Sequence, residues 1–385
     1  MTIDVPYIVL ILALLALTLF NAKDRRNNNY FIAAVVIAFI FTAFRAPVVG
    51  ADTYNYVRFF TGESIYYSSD RREFEPLFTA YNAIMKILLF KSGFLYMVVN
   101  AFLSLLPVFI LVKHNAYSKT LSVFWFFLTT SGMLYFVVLR QILSMAIILG
   151  GVIYVQRNRP YKLAVFILLG VIAYFMHTSA IYVMPVYLLC YFIPMKHRWV
   201  PFVLIGVSIV SGLILKNLDI MKMLSAYEAM GFGVTERLDV YLDEELVDTS
   251  EFSILGILKK SLIGAFVYLW MPKKKLNHWF SKIYLVGIVL SNFFFEMQLI
   301  DRIVMPFDLF GIICVTWAFG PRLHKAVFNY RLVSYVAAGL MCFYLMFGYV
   351  RSSINYDPTN EMRMHPYYFF FQDYHDHPSI KYNFD

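Results

Sequence analysis

Most polar side chains in this sequence that can do chemistry stand as small islands inside long apolar runs. The densest island is Phe44 to Arg58, FRAPVVGADTYNYVR, which sets Arg45, Asp52, Tyr54, Asn55, Tyr56 and Arg58 between turn signals at Pro47 and Gly50. Two arginines around one carboxylate make either an internal ion pair that orders a loop or part of a binding site. Gly50 and Ala51 are small enough to let backbone approach a ligand closely. Tyr54 and Tyr56 can offer ring faces to sugars or sit as interface aromatics. Arg140 and Gln141 fall between YFVVL and ILSMAIILGG, where the pattern predicts a very tight turn joining two apolar runs. An arginine there faces a cavity or partner, or snorkels to the surface, and its guanidinium suits the two-pronged binding of phosphate oxygens. His177 lies between AYFM and TSA, either structural or a general base at neutral pH. Asp301 and Arg302 form a further polar pair, and Asp308, inside the next apolar run, requires a partner.

The elements that must position these residues are apolar helices. The chain has 385 residues, 60% of them hydrophobic and only 15% charged, against about 25% charged in a soluble domain. Charge-free runs long enough to cross hydrocarbon recur throughout, which predicts an all-α, polytopic integral membrane protein in a single domain over residues 1–385. About twelve spans are expected, near 5–21, 30–44, 94–112, 120–139, 142–155, 162–176, 180–194, 201–215, 256–271, 282–299, 303–319 and 332–350. The first run has no basic flank before it and no cleavage site after it, so it reads as a retained helix. Cys190, Cys314 and Cys342 all fall in apolar runs and read as small core residues.

Six loops, within 21–29, 113–119, 156–162, 195–199, 272–282 and 321–331, hold 17 of the 33 Lys and Arg and a single acid, Asp24. Basic short loops stay cytoplasmic, so these face in and both termini face out. This topology accounts for the net charge of +9 without nucleic acid. The outward regions are loops 45–93 and 216–255, the junction at Leu139 to Ile142, and the tail 351–385. Glu75 to Phe90 would invert every later loop if it crossed, so it reads as an amphipathic helix on the outer face. Asp243, Glu244 and Glu245 read as a solvated acidic face. His365, His375 and His377 lack a spacing that fixes a metal. P-loop, dinucleotide and serine-nucleophile motifs are missing.

Taken in order, FRAPVVGADTYNYVRFF at 44–60, EFEPLF at 73–78, LRQILSMAI at 139–147 and AYFMHTSAIYVMPVYLL at 173–189 resemble the EpsG family, within the broader Wzy class of bacterial polysaccharide polymerases. DRIVMPFDLF at 301–310 adds to the likeness. The resemblance implies a polymerase at the outer face of the bacterial plasma membrane. Its substrate would be an oligosaccharide repeat unit on undecaprenyl pyrophosphate, the growing chain passing to the non-reducing end of another unit to make O-antigen, capsule or exopolysaccharide. A Wzz-like chain-length regulator and a flippase are the partners it implies, with no cofactor or metal. For that chemistry Arg45, Arg140, Arg302 and Arg58 are the pyrophosphate candidates, since clustered cations stabilise a departing anion. His177 and Asp52 are alternative bases for the acceptor hydroxyl. Tyr54, Tyr56, Gln141 and Glu75 are the glycan candidates. One displacement with one base inverts the anomeric centre.

Two rival readings remain in the sequence. A flippase for the same lipid-linked unit should show repeated halves and charges near the bilayer midplane, whereas no repeat is visible and the charges sit at helix ends. A ligase or type C glycosyltransferase is the other rival. The latter typically carries an acidic pair in its first outer loop, whereas Asp52 has only Asp70 at a distance.

Overall fold

Backbone polar groups have no water partner in hydrocarbon, so apolar runs of this kind must close their hydrogen bonds within each segment, as helices. The computed structural model describes residues 4–23, 27–62, 74–129, 132, 134–217, 254–294, 300–319, 330–354 and 364–374. The acidic stretch Asp239 to Glu251 and the tail residues His375 and His377 lie outside the described residues. Among the described residues, helix is the only extended regular structure, with one isolated β-bridge between Arg45 and Phe369.

The helices are α1 (Val5–Lys23), α2 (Asn29–Ala43), α3 (Ala51–Thr61), α4 (Pro76–Leu88), α5 (Gly93–Asn115), α6 (Lys119–Leu128), α7 (Leu139–Gln156), α8 (Lys162–Met176), α9 (Ala180–Phe192), α10 (Val200–Asn217), α11 (Ile254–Trp270), α12 (Lys273–Leu276), α13 (Trp279–Phe293), α14 (Ile300–Asp308), α15 (Gly311–Phe319) and α16 (Tyr330–Ser353). A helix stands at each position where a span was expected. Among the described residues three helices, α1, α5 and α7, are long and apolar enough to cross a membrane alone. The bent pair α14 and α15, 47° apart, makes a fourth if it is one span. The shorter apolar helices include α2, α6, α8, α9 and α13.

Two expected spans are broken. The run near 120–139 is interrupted: α6 ends at Leu128, Tyr135 to Val137 form a turn before α7, and every side chain from Leu134 to Leu139 is 4% exposed or less. Irregular backbone at such depth is tolerated only where protein buries it and its carbonyls find donors. The junction therefore lies upstream of Arg140 and Gln141, which occupy the first turn of α7 rather than the tight turn expected there. Asp301 and Arg302 lie in the first turn of α14.

The stretch around Asp52, expected as a loop, is the helix α3. Thr53, Tyr56, Val57 and Phe60 are its buried stripe at helical spacing. Asp52 sits in its first turn, where a carboxylate favours the positive helix end, and Gly62 caps it in the left-handed region. Helix α4 begins and ends beside α3. Its N-cap Glu75 reaches Arg140 of α7, the helix that packs on α3, and near its other end the Lys86 ammonium lies 4.9 Å from the Phe59 ring centre. Phe78 and Asn82 of α4 face inward, while Ile84, Ile87 and Leu88 are exposed.

Loops gather at two ends. At one, Lys119 Nζ donates to Asn28 (2.8 Å), Gln156 to Asn115 (2.9 Å), Trp317 to the Asn115 carbonyl (2.7 Å) and the Met195 amide to Asn277 (2.7 Å). These contacts tie together the described basic loops. At the other end the Asp4 amide donates to the Ser353 carbonyl (2.8 Å) and the Ala46 amide to the Tyr368 carbonyl (2.7 Å). Cys190 and Cys314 are buried free thiols.

Candidate functional site

The non-basic end is built on Arg45, the second residue after α2. Its guanidinium is 3% exposed and faces carbonyl oxygens of its own chain: Thr42 (2.5 Å), Phe136 (3.1 Å) and Val49 (3.4 Å). Thr53 of α3 also donates to the Phe136 carbonyl. Arg45 thus supplies the donors that the broken segment before α7 lacks. Gly50 serves the same junction. At φ +100° it lies so close that a Cβ would come 2.3 Å from the Phe136 oxygen. The close approach predicted at Gly50 is made by the chain's own backbone, not by a ligand.

Above this floor, Arg140 projects from the first turn of α7. Its Nη1 lies 2.8 Å from Glu75 Oε2, and its Nε donates to the Tyr56 hydroxyl at 3.0 Å. The guanidinium also lies 4.9 Å from the Phe74 ring centre and 5.5 Å from that of Tyr56. Such a cage fixes the planar cation and leaves it a quarter exposed. The other oxygen of Glu75 accepts from the Thr178 amide at 3.4 Å, which brings the His177 turn to the same place. Burial alone would raise the Glu75 pKa. Arg140 foremost, then hydrogen bonds from the Glu75 and Thr178 backbone, outweigh it and hold the carboxyl below its ordinary range.

His177 caps α8 in extended conformation. The Ser179 amide donates to its Nδ1 at 3.2 Å, and Ser179 Oγ lies 2.8 Å away. A backbone N–H can only donate, so Nδ1 holds the lone pair and the neutral ring carries its proton on Nε2. In that state His177 offers a donor at Nε2.

A second ion pair joins α14 to α3: Arg302 Nη1 lies 3.2 Å from Asp52 Oδ2. Gln141, next to Arg140, donates to the Arg302 carbonyl at 2.6 Å. The two pairs are therefore linked through one residue. Arg302 and Asp52 are each about one third exposed, so both remain reachable from solvent. Tyr54 packs its ring 5.5 Å from the Arg58 guanidinium. The structure thus brings Arg140, Glu75, Tyr56, Gln141, Arg302, Asp52 and the His177 turn to one end. Arg45 lies beneath them, and Arg58 and Tyr54 extend the same helix.

Lys260 of α11 was not singled out in the sequence. It lies 2.8 Å from Asp308 and 3.3 Å from Asp301, and so supplies the partner that Asp308 requires. Lys259 and Lys260 fall inside the span expected near 256–271, and the acids that pair with Lys260 lie more than forty residues on. The tail also belongs to this end. Tyr367 donates to the Phe41 carbonyl (2.5 Å), and Asp4 accepts from the Tyr367 amide (2.8 Å) and pairs with His365 (2.7 Å).

A profile of the EpsG family matches residues 28–369, which takes in every residue of this constellation. No curated protein and no solved structure matches the chain. The apolar helices, the linked ion pairs at one end and the family match over most of the length lead to one conclusion: the chain belongs to the EpsG family of Wzy-type, polysaccharide polymerase-like membrane proteins.

Proposed function

We propose that the protein is a polysaccharide polymerase of a bacterial plasma membrane. In this reading it transfers a growing glycan from undecaprenyl pyrophosphate to the non-reducing end of another lipid-linked repeat unit, with the constellation facing outward. The observation that carries the reading is the pair of linked, partly exposed ion pairs, Arg140–Glu75 and Arg302–Asp52, at the end opposite the basic loops. Basic short loops stay on the cytoplasmic side, which turns this end outward.

Each arginine is held ready by a carboxylate that a pyrophosphate oxygen can replace. When the donor binds, its phosphates take Arg140 and Arg302. Asp52 is then released as a carboxylate beside the acceptor. The acceptor hydroxyl oxygen attacks the anomeric carbon and its proton passes to Asp52. The bond from that carbon to the pyrophosphate oxygen breaks, and the leaving group takes the electron pair as undecaprenyl pyrophosphate. The anomeric centre inverts in this single displacement. His177, carrying its proton on Nε2, suits donation to the departing anion better than base work, so the base assignment rests on Asp52. Arg45, engaged with carbonyls, holds the floor rather than the phosphate. Tyr56 and Gln141 orient the two arginines, which leaves Tyr54 and Arg58 as the surface for incoming glycan. A flippase delivers the units and a Wzz-like regulator sets chain length.

The test is the surface glycan profile of a strain lacking the gene, then complemented. Single repeat units in place of a ladder, with the ladder restored on complementation, support the polymerase. Loss of all surface units, with lipid-linked units accumulating inside, overturns it in favour of a flippase.

A further inference from the structure

A cavity of about 440 Å³ lies at the basic end, where α7 and α9 finish and α13 begins. That volume falls in the range of roughly 300–1,000 Å³ typical of ligand sites. Its wall combines Tyr191 and Phe192 with Gln156, Asn277, His278 and Lys282. Trp279 closes the apolar side, its ring edge-on to Tyr191 at 5.3 Å. Phe192 and Ile193, beside the opening, are more than half exposed. Aromatic rings next to cations at the end of membrane helices mark the headgroup level of a bilayer.

The electrostatics of the cavity are one-sided. The described loops around it, Gln156 to Lys162, Met195 to Trp199 and Pro272 to Lys282, contain no Asp or Glu. Lys282 is 9% exposed, and one of its three protons goes to the Ile193 carbonyl at 2.8 Å. Among the described residues no carboxylate pairs with Lys282, and Lys162 lies 5.9 Å from the Tyr191 ring centre. Burial, then Lys275 and Lys282, pull the His278 pKa down to about 4, as a positive surrounding requires. Since Nδ1 of His278 accepts from the Phe280 amide at 3.3 Å, the neutral ring holds its proton on Nε2 and is a donor there. A buried ammonium, an imidazole N–H and side-chain amides therefore meet in a cavity that supplies cation and donors but no counter-charge. A buried charge favours an anionic partner, and the described residues place none in this cavity.

We propose that the cavity binds the phosphate headgroup of an anionic phospholipid in the leaflet at the basic end, with Lys282 as the charged contact and Tyr191 and Phe192 against the upper acyl chain. The assignment does not depend on polymerase activity.

The experiment uses the full-length purified protein, delipidated in detergent and offered phosphatidylglycerol or phosphatidylcholine, with retained lipid counted by native mass spectrometry. Phosphatidylglycerol should be retained over phosphatidylcholine. Lys282→Gln, which keeps a donor for the Ile193 carbonyl, should weaken that retention about fivefold, and Lys282→Arg should keep it. Val155→Phe fills the cavity from its apolar wall without touching a charge. It should also abolish retention, and it stands as the second variant if Lys282→Gln does not fold. Equal retention of the two lipids, or unchanged retention in the folded variants, overturns the proposal. Displacement of phosphatidylglycerol by millimolar inorganic phosphate, with phosphate binding undiminished when no lipid is added, makes this a soluble-phosphate site and overturns the lipid assignment.

Discussion

Arg45 and Arg140 stand at the same end of the molecule, but their guanidinium groups meet different partners. Arg45 faces the carbonyl oxygens of Thr42 and Val49 as well as that of Phe136, which Thr53 also serves, so Arg45→Met should leave the first two buried acceptors unmet, at about 1–3 kcal/mol each, and lower the amount of folded protein in the membrane. Arg140 meets a carboxylate and a phenol near the surface. Arg140→Ala should leave membrane levels near normal on an immunoblot while the glycan ladder disappears. Arg140→Lys should be impaired as well, because one ammonium cannot reproduce the fork between Tyr56 and Glu75. Glu75 adds a pH dependence. Its folded pKa is depressed, so its contribution to stability is fully present above the ordinary carboxylate range and is lost as pH falls through the depressed value. The melting temperature in detergent should therefore drop on acidification below the ordinary range, and Glu75→Gln should remove that part of the drop.

At the scale of elements, Lys260 is the joint between α11 and α14, and through Asp301 it sits next to the Arg302 that reaches Asp52. Lys260→Met leaves Asp308 buried without its cation and should cost roughly 3 kcal/mol, as for one side of a buried ion pair. Adding Asp308→Asn should recover part of the loss, read as melting temperature. The sequence made some of this architecture legible. Apolar runs located the helices, because hydrocarbon-length stretches without charge have few other uses. Arg140, His177, Asp52 and Glu75 stood out because a polar residue among apolar ones needs a reason. Less legible was how elements break. Helix α3 hid because Asp52, Tyr54, Asn55 and Arg58 dominate its composition, while its buried residues follow a helical period. The segment before α7 hid because Leu134 to Leu139 are as apolar as any helix, and what meets the open carbonyl of Phe136 in the turn is Arg45 and Thr53, more than eighty residues away in sequence. Lys260 hid for the same reason, its partner Asp301 lying 41 residues on.

The whole molecule separates its charges by end, which makes a topology prediction. A lone cysteine at Asn158, in a basic loop, should be shielded from an impermeant thiol reagent added to intact cells. One at Lys91, after α4, should be labelled on the same side as one at Gly62, after α3, because α4 lies alongside α3 and the chain after it comes back to Val57 and Thr61. Labelling at Lys91 opposite to Gly62 would make α4 a crossing and reverse the placement of every later loop. The contacts of Asp4 carry a further consequence. Its carboxylate is met by His365 and by the Tyr367 amide, residues made about 360 positions after it. At roughly 5–20 residues per second, α1 waits some 20–70 s in the bilayer before the segment that clasps it leaves the ribosome. During that interval Asp4 and the Ala46 amide lack their partners from the tail, so the nascent chain is open to membrane quality control. A stalled or clipped message thus yields protein that is inserted yet never sealed at this end.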